Sequence, residues 1–157
     1  MFSLAIPGWG QLDLQHLVLD YNGTLALDGA LIPGVAEQLR AIHQLGVQLH
    51  VITADTNGTV VRACQGLPVD VHVHHGDAVA LEKQHLVEQL GGNHTACVGN
   101  GRNDLLMFQA GALSICVLGG EGAFCPALAA CHLAVTTITD ALDLFLKPHR
   151  LRASLRG

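Results

Sequence analysis

At 157 residues, half of them hydrophobic, with 18 glycines and only 13% charged, the chain is long enough to bury a sizeable core as one domain. It is too apolar to be disordered and lacks the composition of a coiled coil. Its formal net charge is −5 at pH 7, and a basic stripe for nucleic acid is not to be found in its acidic body.

That body, residues 1–146, holds all 13 acidic residues against only Arg40, Arg62, Lys83 and Arg102. Lys147, Arg150, Arg152 and Arg156 make residues 147–157 a basic tail, which is read as a solvated terminus. The start, MFSLAIPGWG, has no basic residue and breaks at Pro7 and Gly8, so no signal peptide is expected. Nowhere does an apolar window of about 18 residues occur, so no membrane span is expected either. The richest candidate, 112–138, is cut by Gly119, Gly120, Glu121 and Pro126. Cysteines 64, 97, 116, 125 and 131 form no C-x-x-C pair and read as free, buried thiols of a reducing compartment. The expected location is the cytoplasm.

Residues 2–6 and 12–14, joined through Pro7-Gly8-Trp9-Gly10, read as a hairpin within an N-terminal segment 1–15. The apolar run Leu17-Val18-Leu19 reads as a buried strand that Asp20 ends, with Asn22 and Gly23 turning the chain. Pro33 suits a first helical turn, and Val35, Leu39 and Ile42 recur at helical spacing until Gly46. Val47 to Ile52 is the next strand, followed by Thr53, Asp55 and a helix from about Thr56 to Cys64 closed by Gly66. Val69 to Val73 is a third strand. Asp77 is placed to cap a helix running to Leu90 and ending at Gly91-Gly92. Strands at 94–98 and 113–118 flank the polar loop 99–104 and a short helix 105–110. A helical turn at 127–130, a short strand at 131–135 and a last helix at 139–146, ended by Pro148, complete the order. Strands alternating with helices define an α/β fold: three layers, Rossmann-like, around a mostly parallel sheet.

In such a series the carboxyl ends of the strands share one edge, where ligands bind in open α/β sheets. That edge collects Asp20 and Asn22, then Thr53 and Asp55, then Asn100, Arg102, Asn103 and Asp104. Lys83, in the first turns of its helix, lies close to it. Two of the body's four Lys and Arg residues therefore sit among the carboxylates. A carboxylate nucleophile, a hydroxyl, a lysine and a second carboxylate for a metal are what phosphoryl transfer through an aspartyl-phosphate requires. Mg²⁺ suits a site of few, hard oxygen ligands.

DYNGTLA, VITAD, Lys83 and GNGRNDLLM, in this order, resemble the four motifs of the haloacid dehalogenase superfamily, and more closely the phosphorylation domain of P-type cation ATPases. The resemblance spans about Leu17 to Val135. It implies that Asp20 is the nucleophile. Thr53, Ala54, Lys83 and Asn103 would hold the phosphoryl group, and Asp20, the backbone carbonyl of Asn22, Asp104 and Asn100 would surround Mg²⁺. The implied substrate is a small phosphorylated compound.

Two positions depart from the family. Its phosphatases carry an acid/base Asp two residues after the nucleophile, where this chain has Asn22. An amide cannot transfer a proton at neutral pH, and such transfer contributes about 10²–10⁴-fold. Poor leaving groups would suffer most, while acyl phosphates and anhydrides depart unaided. The ATPases also lack this Asp and keep a long-lived phosphoenzyme, so slow turnover is expected. The second departure, Asn100 in place of the loop's Asp, implies weaker Mg²⁺ binding. Residues 21–52 alone separate Asp20 from Thr53, too few for a nucleotide domain or a substrate cap. Capless members often oligomerise to cover the site, which makes a homo-oligomer an expectation. The expected activity is an Mg²⁺-dependent phosphohydrolase or phosphotransferase; the alternative is a regulatory protein that binds a phosphate compound without turnover.

Other signals are weaker. His72, His74 and His75 hold imidazoles suited to a transition metal, although a solvated strand end accounts for them as well. Arg102 is either an anion contact or a plain loop residue, and Asp55 is read as the cap of the following helix.

Overall fold

The computed structural model describes residues 1–55 and 57–157. It opens with an antiparallel hairpin of β1 (Phe2–Ile6) and β2 (Gly10–Leu14), with Phe2 opposite Leu14. Next come β3 (His16–Asp20), a second hairpin of β4 (Ala26–Leu27) and β5 (Ala30–Leu31), and α1 (Val35–Gln44). The chain continues through β6 (Gln48–Thr53), α2 (Thr59–Ala63), β7 (Val69–Val73) and α3 (Val79–Leu90). It then passes through β8 (Thr95–Gly99), α4 (Leu105–Ala110), β9 (Leu113–Val117), α5 (Cys125–Ala130) and β10 (Leu133–Val135). Two helices follow, α6 (Ile138–Leu146) and α7 (Pro148–Leu155).

Six parallel strands form the central sheet in the order β10-β9-β8-β3-β6-β7. Because side chains alternate across a strand, each of the four inner strands feeds two cores. Leu17, Leu19, Val51, Val98 and Ile115 pack with α1, α6 and the first hairpin on one face. Val18, Ile52, Cys97 and Cys116 meet Val87, Met107, Phe108 and Ala127 on the other. This is the expected three-layer arrangement. Asp20 at the end of β3 lies opposite Ile52 of β6, one residue short of Thr53. Two of the site's motifs thus reach the same sheet edge through strand register alone.

The second hairpin was not expected. Its turn, Asp28-Gly29, has φ of 52° and 81°, the two-residue geometry that Asp-Gly between apolar residues favours. The expected start of α2 at Thr56 lies outside the described residues. Asp55 does cap this helix: its carboxylate accepts the backbone N–H of Asn57 and Val60. Asp77 does not cap α3, which begins at Val79 without a side-chain cap.

The terminus differs most from expectation. Helix α6 does end before Pro148 but is not the last: Pro148 opens α7, because proline's fixed φ and missing N–H suit the first helical turn. Leu151 is fully buried, Arg152 donates through Nε to the Ala5 carbonyl at 3.1 Å, and Gly157 N–H donates to the Pro7 carbonyl. Lys147 and Arg150 both pair with Asp143. Three of the four tail cations are therefore engaged rather than merely solvated. The five cysteines are free, but Cys125 is exposed at the start of α5. Among the described residues no helix is long and apolar enough to cross a membrane.

Candidate active site

A cavity of about 1180 Å³ opens over the carboxyl edge of the sheet. Of the residues expected at the site, Asp20, Asn22, Thr53, Ala54, Lys83, Asn100 and Asn103 all line it; Asp104 does not.

Lys83 is 1% exposed, although lysine is among the residues least often buried. Its ammonium donates to Asp20 Oδ1 at 2.7 Å, to Asp104 Oδ1 at 2.7 Å and to Asn103 Oδ1 at 3.1 Å. Those are all three of its donors. Burial pulls the Lys83 pKa down, and the two carboxylates more than offset this, leaving it above the ordinary lysine value. To bind a phosphoryl oxygen, Lys83 must exchange one of these partners.

Asp104 is held as closely. Its Oδ2 accepts the backbone N–H of Asn100 and of Gly101 at 2.9 and 2.8 Å, and its Oδ1 accepts from Lys83. Fully buried and outside the cavity lining, Asp104 holds Lys83 and shapes the loop. The loop can close this tightly only because residue 99 is glycine: a Cβ there would collide with the Asp104 carboxylate.

Asp20 lies between these groups and the cavity. Burial, and next the Asp104 charge, raise its pKa to about 7 against the opposing pull of Lys83 and Thr24. Two carboxylates share one ammonium, so the cluster lacks a positive charge. Asp20 Oδ2 accepts from the Thr24 hydroxyl, which also lies 3.2 Å from Asn100 Oδ1. Thr24 is a site residue that the sequence did not single out; its fourth place after Asp20 in DYNGT was the available signal. Among the described residues nothing donates to the backbone carbonyl of Asn22. Asp20 Oδ2, the Asn22 carbonyl and Asn100 Oδ1 are thus hard oxygens beside an unbalanced negative charge, a donor set that fits Mg²⁺.

Thr53 is 3% exposed and its Oγ1 accepts the Asp55 N–H at 3.0 Å, which leaves the hydroxyl proton for a ligand. Asn100 has a further task. Its Nδ2 donates to the Gly122 carbonyl at 3.0 Å and its own carbonyl accepts the Phe124 N–H at 2.8 Å, tying segment 119–124 to the site. Glu121 of that segment accepts the Asp28 N–H, joining it to the second hairpin. Arg102 is exposed on the cavity rim and forms no ion pair among the described residues.

The histidine group is divided. His72 joins a row with His50 and His16, His74 faces Glu82 at 3.5 Å, and His75 is exposed. Among the described residues no set of three His, Cys, Asp or Glu side chains converges to hold a metal.

The parallel α/β sheet carries a lysine-bridged aspartate at the end of β3. Residues 2–111 match the haloacid dehalogenase-like hydrolases, and the chain belongs to that family. An uncharacterized protein of Methanocaldococcus jannaschii is 44% identical over 59 residues, covering 38% of this chain and 63% of that protein. The copper-transporting ATPase of Schizosaccharomyces pombe is 28% identical over 110 residues, 62% of this chain but only 12% of the ATPase. This chain thus spans less than two thirds of either curated relative. Among solved structures, the 3-deoxy-D-manno-octulosonate 8-phosphate phosphatase of Moraxella catarrhalis, in complex with magnesium, phosphate and its sugar acid, superposes with a TM-score of 0.70. The two are 21% identical, with 85% of this chain and 86% of that one covered.

Proposed function

We propose that this protein is an Mg²⁺-dependent phosphohydrolase or phosphotransferase acting through an aspartyl-phosphate on Asp20. The observation that carries the reading is the Asp20 carboxylate itself: buried at a strand end, held by Lys83 at 2.7 Å and open to the cavity. An oxygen of Asp20 attacks phosphorus, the bond to the leaving oxygen breaks, and the leaving group departs with the electron pair. Water then attacks the same phosphorus, releasing phosphate and restoring the carboxylate. Thr53, the backbone at Ala54 and, after partner exchange, Lys83 and Asn103 hold the phosphoryl oxygens. Asp20, the Asn22 carbonyl and Asn100 would hold Mg²⁺, which supplies charge neutralisation at the transferred group. Asp104 positions Lys83. The Moraxella phosphatase, which holds magnesium and phosphate on the same fold, supports the assignment.

Asn22 cannot serve as acid in the first step or as base in the second, so the phosphoenzyme is long-lived and turnover slow. The test is the intact mass of the protein after incubation with acetyl phosphate and Mg²⁺, beside Asp20→Ala. A phosphate-sized gain is expected in the first and not in the second. No gain in either, with Mg²⁺ shown to bind, overturns the reading in favour of a regulatory protein that binds phosphate compounds without turnover. A second test is Asn22→Asp, which is expected to speed release of phosphate by about 10²–10⁴-fold. An unchanged rate would show that the missing proton carrier is not what limits turnover.

A further inference from the structure

We infer that the phosphoryl donor of this site is an aryl phosphate or an aromatic acyl phosphate: an acidic, delocalised leaving group on an apolar body. The inference rests on the proposed phosphoryl transfer and names the substrate class for it. Two independent observations converge on it.

The first is a census of protons around the cavity. The Tyr21 hydroxyl is given to the Gly29 carbonyl at 3.2 Å. The ammonium of Lys83 is spent on three oxygens. Asp55 accepts two backbone N–H groups, which hold its pKa below the ordinary carboxylate value. The Arg102 guanidinium does not give up a proton. Asn22 is an amide, and Asp77 is exposed on the lining before α3. Among the described residues only Lys83 and Thr24 hydrogen-bond the Asp20 carboxylate, and neither a buried ammonium held by two carboxylates nor an alcohol is a ready acid, so the leaving group must be stable as an anion.

The second is the lining above the phosphoryl position. Val79, Leu105, Leu106, Phe124 and Pro126 give it apolar surface, beside Thr59, Asp77 and Arg102. A volume of about 1180 Å³ far exceeds a phosphate and matches a ligand with a substantial body. Phe124 is fixed there, since its N–H is bound by the carbonyl of Asn100, the residue whose side chain borders the phosphoryl position. A ring would remove this apolar surface from water, a gain that a sugar or polyol cannot match.

The step balances without further reactants. The Asp20 oxygen bonds to phosphorus as the bond to the aryl or acyl oxygen breaks, and the phenolate or carboxylate leaves as an anion with no proton supplied.

The test uses the whole chain with Mg²⁺ and three kinds of donor. A series of substituted phenyl phosphates is expected to show kcat/KM falling by about tenfold per unit of leaving-group pKa, a slope that Asn22→Asp makes shallower. Benzoyl phosphate is expected to exceed acetyl phosphate by about tenfold in kcat/KM, since the ring leaves water on binding. Phe124→Ala, and separately Val79→Ser, should narrow the benzoyl-to-acetyl ratio through KM rather than kcat. Whether phenyl or benzoyl phosphate is the better donor distinguishes an ester from a mixed anhydride. A flat dependence on leaving-group pKa, or acetyl phosphate equalling benzoyl phosphate, overturns this inference while leaving Asp20 phosphorylation standing. Failure of every donor, acetyl phosphate included, overturns both.

Discussion

The central sheet carries two clusters of polar side chains on one face, one at the carboxyl end of β3 and one running across three strands. At the carboxyl end, Asp20, Lys83 and Asp104 form a charged triad. His16 at the start of β3, His50 in the middle of β6 and His72 near the carboxyl end of β7 form a row that crosses the sheet obliquely, with nitrogens 3.1 and 3.2 Å apart. Both lie on the face that holds Val18 and Ile52, since His16 and Asp20 differ from Val18 by two residues. Their capacities differ. In the row, His50 uses both ring nitrogens on its neighbours, with Asp70 at 3.9 Å and 76% exposed as the nearest counter-charge. The triad is one positive charge short, and its oxygens border a cavity. A buried polar cluster acts chemically when its valences are left over, and acts structurally when they are spent on one another.

The largest effect that would sharpen this comparison is the loss of the cation. Lys83→Met leaves two buried carboxylates without their donor and should destabilise the fold by about 3–5 kcal/mol, measured by denaturant unfolding. His50→Leu removes a neutral group whose partners can reach water, and should cost about 1 kcal/mol. Equal losses would mean that charge is not what separates the clusters.

The two clusters also titrate in opposite directions. Burial, and then the neighbouring His72 and His16, push the His50 pKa from 6.5 down to about 4. Between those values the unfolded chain takes up a proton that the folded chain refuses, so stability is lost as pH falls from 6.5 towards 4, by up to about 3 kcal/mol. The half-buried rings of His16 and His72, also shifted down chiefly by burial, add to the same trend. Asp20 runs the other way. Its carboxyl is raised from 3.8 to about 7, so the folded chain keeps a proton that the unfolded chain has lost, and stability falls as pH rises across that range. In metal-free buffer the two trends oppose each other, and the wild-type profile between pH 4 and 6.5 should be shallow. His50→Gln should expose the Asp20 trend, with stability decreasing as pH rises; Asp20→Asn should expose the opposite slope. Denaturant midpoints at a series of pH values read both directly, and parallel profiles for the two variants would break the comparison.

The triad was legible in the sequence and the row was not, for a physical reason. Asp20, Lys83 and Asp104 are charged residues in an apolar chain, and each follows or faces a strand end whose position the hydrophobic runs define. His16 and His50 stand inside strands, on a face whose covering helices cannot be located from periodicity, and their contact depends on the register between β3 and β6. The HVHH cluster drew attention instead, although only His72 belongs to the row. At the site itself, residue types were readable but not how their valences are spent. That Asp104 turns to backbone N–H groups and to Lys83, or that Asn100 ties down segment 119–124, depends on loop geometry that no spacing encodes. Asp28-Gly29 between apolar residues was a readable hairpin signal, and Pro148 fitted the start of a helix as well as the end of one.

The smallest effect tests whether Asp20's state is set by the triad alone. The Thr24 hydroxyl has one proton and two acceptors, Asp20 Oδ2 and Asn100 Oδ1, both at 3.2 Å. Donation to Asp20 stabilises the carboxylate and lowers its pKa, although it stands last among the causes that act there. Thr24→Val keeps the shape, removes the proton and should cost about 1 kcal/mol of stability. The rise of Asp20 phosphorylation with pH, which follows the ionised carboxylate, should then move to higher pH, because burial and the Asp104 charge act with less opposition. Phosphorylation by acetyl phosphate across pH 5–9, read by intact mass, measures that shift. A midpoint that stays in place would mean that the hydroxyl gives its proton to Asn100 instead, and that Lys83 alone opposes the protonation of Asp20.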